Sequence, residues 1–458
     1  MTSFYFDHYA RGICMFDRKA YAQLKEWKEK YGTKYAALLE GPRRVGKSTI
    51  AEEFAKKNFK SYVKVDFSNV GKQMRSVFDD VTDLDSFFLR LQAVSGIKLY
   101  EKKSAIIFDE IQRMPEVRQA IKHLVADGRF YYIETGSLIS IKKNVKNIVI
   151  PSEEHKIQIY PMDYEEFTWA IEKSYEVLRD LYKTGKPVGN EVNRKLMRDF
   201  RIYMAVGGMP QAVKAFVEKE DFGTIDAIKR EIIELYEDDF HKIDPSGRIS
   251  RLYSSVPGML SSNKTRFVIS NALGKRLTSR DLEIFSELLD SKTVLIANNV
   301  TDPSIALNMS VSADTFKLYL ADTGLFTTLM FNSEEKIHSD IYAKLMSDKL
   351  EANLGYMYEN AVAQVIASTG RRLYYHTWPK ENSTHNYEVD FLVPSHSKIV
   401  PFEVKSSSVR FHDSISAFFQ KYPSKTYRRY LLSQKDVGKE ETLYLKPIYM
   451  LPFVLEDL

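Results

Sequence analysis

Four short apolar runs lie between about Lys34 and Gln158: YAALLEG, SYVKVDF, KSAIIFDE and RFYYIETGS, with helical spacing between them. Runs of this length alternating with helices predict a parallel sheet with crossover helices, its chemistry at the ends where the strands stop. From Tyr164 to Asp244 the apolar positions recur at helical spacing through EEFTWAIEKSYEVLRDLYK, RDFRIYMAVGGMPQAV and TIDAIKREIIELYEDDF, which predicts a helical lid. Between Arg248 and Phe326 helices give way to the strands VLIANNV and TFKLYLADTGLF, a pattern expected of a small winged-helix unit. The helical stretch SDKLEANLGYMYENAVAQVIAS then leads into RRLYYHTW, YEVDFLVP and KIVPFEVKS, expected as a separate C-terminal α/β unit. The expected boundaries are 1–160, 161–245, 246–335 and 336–458.

The first apolar run ends in Gly41 to Ser48, GPRRVGKS, and precedes the helical STIAEEFAKKN. This is the GxxxxGK[ST] loop, whose glycines let backbone N–H groups turn inward while the following helix offers its positive end to phosphate. Gly41, Pro42, Arg43, Arg44, Val45 and Gly46 are expected to wrap a nucleotide's phosphates. Lys47 would reach the β and γ phosphates and Ser48 would give its hydroxyl to Mg²⁺, with Thr49 helical and packed beside them. In IIFDEIQ, Asp109 ends a buried strand and is placed to share the Mg²⁺ shell, and Glu110 is placed as catalytic base toward the attacking water. Thr135, at the end of RFYYIETGS, is expected to sense the γ phosphate or fix the water. Arg113, Arg118 and Arg129 are candidates for an arginine supplied in trans.

Composition narrows the setting. A chain of 458 residues, 44% hydrophobic and 28% charged, is long enough for two or three cores, and three are expected. The single cysteine, Cys14, excludes an internal disulfide and fits a reducing compartment. With no secretory signal at the start and no apolar stretch long enough to span a bilayer, a cytoplasmic address without membrane contact is expected. The net charge of +5 is small for this length, but seven cations fall between Gly247 and Arg280 without an Asp or Glu: Arg248, Arg251, Lys264, Arg266, Lys275, Arg276 and Arg280. Thr278 with Asp281 forms a capping box for RDLEIFSELL, whose Leu282, Phe285 and Leu289 are expected to face a core. Cations at such a helix start could meet DNA phosphates, with Arg276 and Arg280 as the contacts, or dock on the acidic run Glu231 to Asp244.

Near the C-terminus Asp390 lies at a strand, and Glu403 and Lys405 lie two apart on the next, so these two share a face. The acid, acid, lysine set could bind Mg²⁺ and stabilise the anion formed in phosphodiester cleavage.

Taken in order, GPRRVGKST, IIFDEIQRMPEV, YIETGSLIS, YPMDYEEF, YMAVGGMPQAV, LYLADTGLF and EVDFLVP with PFEVKSS resemble the prokaryotic AAA-family ATPases that carry a C-terminal restriction-endonuclease-like domain. The likeness covers nearly the whole chain. It implies an α/β fold: a P-loop NTPase parallel sheet of the AAA and STAND kind, a helical lid, a winged helix and a nuclease-like unit. In related switch ATPases a Gly-x-Pro turn in the lid lies near the adenine, and Gly208, Met209 and Pro210 match it. The terminal cluster resembles the PD-(D/E)xK nuclease pattern, with Val389 where that pattern often has proline and Glu359 as the matching upstream acid. The expected function is an ATP-binding and ATP-hydrolysing switch, with Mg²⁺, acting on DNA or a protein partner. A Mg²⁺-dependent DNA nuclease gated by ATP and a non-enzymatic nucleotide-gated DNA-binding regulator are the alternatives. AAA relatives often form rings and switch ATPases are commonly monomers until activated, so the residues leave assembly open.

Overall fold

The computed structural model describes residues 16–137, 150–262, 266–331, 342, 345–346, 355–381, 383–406 and 412–458. Cys14 and Lys264 lie outside the described residues. The chain divides into two units, one spanning Asp17–Tyr160 and the other made of Pro161–Leu289 and Thr293–Leu458.

In the first unit the four apolar runs become β1 (Ala36–Glu40), β2 (Ser61–Asp66), β3 (Ser104–Asp109) and β4 (Tyr131–Gly136), and β5 (Glu154–Gln158) adds an edge. All pairings are parallel, in the order β2-β3-β4-β1-β5. β3 is buried along its whole length, as a parallel strand covered on both faces must be. Its Ile106 and Phe108 join Val63, Val65, Phe78 and Phe87 in one apolar core. β1 therefore delivers the chain into Gly41 and β3 delivers Asp109 at the same end of the sheet, with β4 between them.

The second unit opens with helices, among them Tyr164–Ala170, Tyr175–Thr184, Asn190–Val206, Pro210–Val217 and Phe222–Ile243. Three more, Arg248–Ser261, Ile269–Leu273 and Ser279–Asp290, precede the antiparallel pair β6 (Val294–Val300) and β7 (Val311–Leu320). The Ser279–Asp290 helix buries Asp281, Ile284, Phe285 and Leu288, whereas Leu282 is 52% exposed and Leu289 only half-buried. Phe285 is buried as expected, whereas Asp281 and Leu288 are buried in place of the expected Leu282 and Leu289, one position earlier. The reason is Asp281, which turns inward because its carboxylate accepts from the Thr278 N–H and hydroxyl at 2.9 and 2.7 Å, closing the capping box.

The strands β8 (Leu373–Pro379) and β9 (Asn386–Val389) complete a four-stranded sheet ordered β7-β6-β8-β9, in which β6 and β8 pair in parallel. The strands assigned to a winged-helix unit ending at 335 therefore share a sheet with strands assigned to the C-terminal unit beginning at 336. A second, five-stranded sheet holds β10 (Phe391–Ser395), β11 (Lys398–Val404), β12 (Arg429–Ser433), β13 (Gly438–Glu440) and β14 (Leu443–Pro447), ordered β10-β11-β12-β14-β13.

Two sequence motifs far apart in the chain meet in this unit. Gly208 donates its N–H to Asp322 at 2.6 Å, and Asp322 also accepts from the Leu325 N–H as cap of the Thr323–Met330 helix. A Cβ at Gly207 would lie 2.4 Å from the Asp322 carboxylate, and one at Gly208 only 2.0 Å from the Met162 carbonyl oxygen. The paired glycines of AVGGMP are thus required by close backbone approach to LADTG and to Met162.

Candidate functional site

The loop after β1 takes the backbone shape that its glycines permit. Gly41 has φ +156°, and a Cβ there would sit 2.1 Å from the Ile159 carbonyl oxygen. Gly46 has φ 93° and leads directly into the Lys47–Asn58 helix. Arg44 also stands in the left-handed region at φ 69°, a conformation that costs a non-glycine residue free energy and clusters at functional sites. Pro42 and Val45 are buried, Arg43 and Gly46 half-buried, and Arg44 exposed. Thr49 is helical as expected, but its side chain faces solvent instead of packing, because Ile50, Ala51 and Phe54 form the buried stripe of that helix.

Lys47 reaches back into the loop and donates to the carbonyls of Gly41 and Pro42 at 3.0 and 2.8 Å. It is only 6% exposed, and burial pulls its pKa down to about 8 against the opposing charges of Glu110 and Asp109. A polyphosphate beside it restores the charged form, so binding takes up a proton above pH 8 and none below. Nucleotide affinity is expected to fall as pH rises through 8, approaching about tenfold per unit. A titration series from pH 7 to pH 9.5 checks this, and a flat profile would contradict it.

Across β4 the second motif closes on the first. Ser48 Oγ donates to Asp109 Oδ1 at 2.6 Å, and the Thr135 hydroxyl donates to the same oxygen. Asp109 is 4% exposed, and its other oxygen lies 3.3 Å from Lys64 Nζ. Burial works against the Lys64 charge, but Asp109 and Glu52 outweigh it and hold the ammonium above its usual range. Ser48 and Asp109 thus converge on one point with hard oxygen donors, a set that fits Mg²⁺. Glu110, the next residue, has φ 56° and ψ 46°, and its N–H points to Thr135 Oγ1 at 3.3 Å. The Gln112 side-chain amide donates to its carboxylate at 2.6 Å.

Residues that the sequence reading passed over hold this frame. Arg18 is buried and donates to the Val45 carbonyl at 2.9 Å and the Tyr160 carbonyl at 2.7 Å, tying the phosphate loop to the segment after β5. Of the three arginines considered for action in trans, Arg118 is 2% exposed and locked in a two-point pair with Glu154 at 2.7 and 2.8 Å. Arg129 is taken by Asp127 and Asp85. Arg113 is the one of the three that stands exposed without a described ion pair.

Beside the Arg118 pair lies Glu134, fully buried on β4. Burial, then the charge of Glu154, raises its carboxyl well above the usual range.

In the second unit, Pro210 is the first residue of the Pro210–Val217 helix, after the pinned glycines. The terminal cluster assembles as a charge network. Glu403 and Lys405 face each other as their spacing predicts, at 2.7 Å, and Glu403 also accepts from the Ile415 N–H at 3.2 Å. Asp390 is buried and accepts from the Val404 N–H at 2.8 Å, and burial together with the Glu359 charge raises its carboxyl well above the usual range. Three unforeseen residues complete the network. Lys317 on β7, 4% exposed, lies 2.5 Å from Glu388 and 3.4 Å from Glu359, and Tyr319 donates to Glu359 at 3.2 Å.

Burial would strip the Lys317 charge, but Glu359 and Glu388 outweigh it and keep the ammonium protonated. This arrangement fits poorly the divalent ion expected at Glu359, Asp390 and Glu403, because Lys317 already supplies positive charge between Glu359 and Glu388. Among the described residues no group of three or more His, Cys, Asp or Glu could hold a metal ion.

Three cations of the basic segment are paired from just outside its bounds. Arg248 pairs with Asp244 at 2.8 Å and with Asp281 at 3.1 Å, Lys275 reaches Asp281 at 3.0 Å, and Arg280 reaches Glu283 at 2.6 Å. Asp244 is the one member of the acidic run Glu231 to Asp244 among these partners. Arg276 and Arg280 are both exposed. No helix among the described residues is long and apolar enough to cross a membrane.

Comparison with known proteins divides along the chain. Residues 197–336 and 354–450 match two domain families of unknown function, DUF8612 and DUF4143. No curated protein matches. Among solved structures, Cdc6p from Pyrobaculum aerophilum is 14% identical, covering 75% of this chain and 97% of that one at a TM-score of 0.25. The RuvB Holliday junction branch migration motor of Thermotoga maritima is 13% identical, covering 61% and 89% at a TM-score of 0.28. A STAND protein with a tetratricopeptide repeat sensor from Pyrococcus horikoshii is 12% identical, covering 78% and 49% at a TM-score of 0.26. Residues 33–168, which contain the phosphate loop, Asp109 and Glu110, match the family described as an AAA domain, so this part of the chain is a P-loop domain of the AAA kind.

Proposed function

We propose that the chain is a nucleotide-operated switch, which binds and slowly hydrolyses ATP in its first unit and presents DNA or a protein partner with a different second unit in each nucleotide state. The observation that carries this reading is the convergence of Ser48, Asp109, Thr135 and Glu110 at the mouth of a glycine-shaped loop. Backbone N–H groups of Gly41 to Ser48 would bind the phosphates, and Lys47 would leave the loop carbonyls to meet the β and γ oxygens. Ser48 and Asp109 would hold Mg²⁺, which when bound supplies positive charge to the β and γ oxygens. Glu110 orients the attacking water and takes its proton as the new P–O bond forms and the bond to the β-phosphate oxygen breaks, giving ADP and phosphate.

The second unit is read as a binding fold. Three helices before an antiparallel strand pair suit a winged helix, and exposed Arg276 and Arg280 are its proposed contacts to phosphates. Cleavage by the Asp390, Glu403 and Lys405 set is the weaker reading, since Lys317 occupies the charge balance that a catalytic cation would need.

Hydrogen exchange in the full chain tests the switch. ATP should protect the amides of Gly41 to Ser48 in the parent but not in Lys47→Ala, and should alter exchange within 161–458. An unprotected loop would remove the nucleotide site, and a protected loop with no change in 161–458 would remove the switch.

A further inference from the structure

A second place in the molecule is built for an anion. On the side of the second unit formed by the Tyr175–Thr184 helix, β12, β14 and the Leu451–Glu456 helix, a pocket of about 330 Å³ opens between Arg179, Lys183, Arg428 and Lys446. That volume is at the lower end of the range for small-ligand pockets. Tyr182, Tyr430, Tyr444 and Phe453 supply the ring faces of its wall.

The rings hold cations in place without cancelling their charge. Lys446 Nζ stands 5.0 Å from the Tyr182 ring centre, and the Arg428 guanidinium lies 4.7 Å from Tyr427 and 5.7 Å from Tyr444. Such contacts orient an ammonium or guanidinium while leaving its N–H groups able to meet an oxyanion. Lys446 is only 7% exposed, yet its ammonium has no hydrogen-bond acceptor and no ion pair among the described residues. Arg428 bonds the hydroxyls of Tyr427 and Tyr430 and likewise has no carboxylate partner among them.

The other charges at the rim are already matched. Arg179 pairs with Glu456, Lys183 lies 3.8 Å from Asp180, and Asp457 accepts from the Tyr182 hydroxyl at 2.6 Å. The Lys446 stem is buried while its ammonium opens onto the pocket, where water meets it until an oxyanion takes that place. Two positive groups offset by Asp457 alone, one of them a planar fork, suit a tetrahedral dianion. The space exceeds that of a bare ion.

We propose that this pocket binds a phosphate monoester, with Lys446 and Arg428 taking the phosphate oxygens and the tyrosine wall lying against the organic group it carries. A nucleoside 5′-monophosphate and the phosphorylated 5′ end of a single strand present the same chemistry.

The test uses the full chain carrying Lys47→Ala, so that the phosphate loop does not contribute. Calorimetric titration with inorganic phosphate, a nucleoside 5′-monophosphate, and a short 5′-phosphorylated oligonucleotide is compared with the matching nucleoside and unphosphorylated oligonucleotide. Binding should require the phosphate, and the tighter of the two phosphorylated organic ligands identifies the source. Adding Lys446→Met, or separately the half-exposed Arg428→Gln, should weaken it by about tenfold or more. The second variant keeps the test decisive if the buried one fails to fold, as judged by its unfolding midpoint. Failure of every phosphorylated ligand to bind, equal binding of dephosphorylated ligands, or an Arg428→Gln chain with unchanged affinity would overturn the proposal.

Discussion

Glu110→Gln is expected to leave ATP binding in place while hydrolysis falls by about 10²- to 10⁴-fold, the range for loss of a general base. The amide keeps the size and hydrogen-bonding reach of the carboxylate but cannot accept the proton of the attacking water. The backbone supports this assignment, since Glu110 is held at φ 56° between Asp109 and a short turn. Strain of this kind persists only where its surroundings enforce it. Phosphate release under single-turnover conditions, read beside a nucleotide titration, checks both halves of the expectation. A variant that hydrolyses at the parental rate would leave Glu110 a capping residue and nothing more.

Lys317→Met is expected to destabilise the second unit by about 3 to 5 kcal/mol at neutral pH, the cost of leaving buried charges without their partner. Lys317 is 4% exposed, while the side chains of Glu359 and Glu388 are 21% and 22% exposed, so little solvent is at hand to replace the ammonium. The sign of the pH dependence follows from the same contacts. Burial and the Glu359 charge already hold the Asp390 carboxyl above its usual range, and losing the opposing ammonium leaves that rise unchecked, so the variant is relatively most stable in acid and loses stability as pH rises through the Asp390 value. Denaturant midpoints measured at pH 5 and pH 8 read the difference, and midpoints equal to the parent at both would dismiss the network.

Much of the first unit was legible because its chemistry is local in sequence. Gly41 to Ser48 carry their own conformational demands, and four apolar residues before Asp109 specify a buried strand wherever it is placed. What escaped was long-range. Arg18 meets Val45 and Tyr160 across 27 and 142 positions, and no local spacing announces such a clamp. Lys317 left a fainter mark, a lysine inside the apolar run TFKLYL, where a buried strand demands a partner. Asp390 falls in the break between β9 and β10, where the chain passes from one sheet to the other, so strand period does not announce its place beside Glu388. In the Ser279–Asp290 helix Phe285 faces the core as its spacing predicts, but Asp281 and Leu288 replace Leu282 and Leu289 because the capping aspartate turns inward.

The parallel pairing of β6 with β8 bears on how the protein can be dissected. A fragment beginning after residue 331 would carry β8 with Ala297, Asn298 and Asn299 stripped from its flank, baring backbone donors and acceptors at Leu373 to Tyr375. Such an open border invites self-association. Expression of the last third alone should therefore yield clumped material, and a soluble piece of this region should have to start early enough to include β6 and β7.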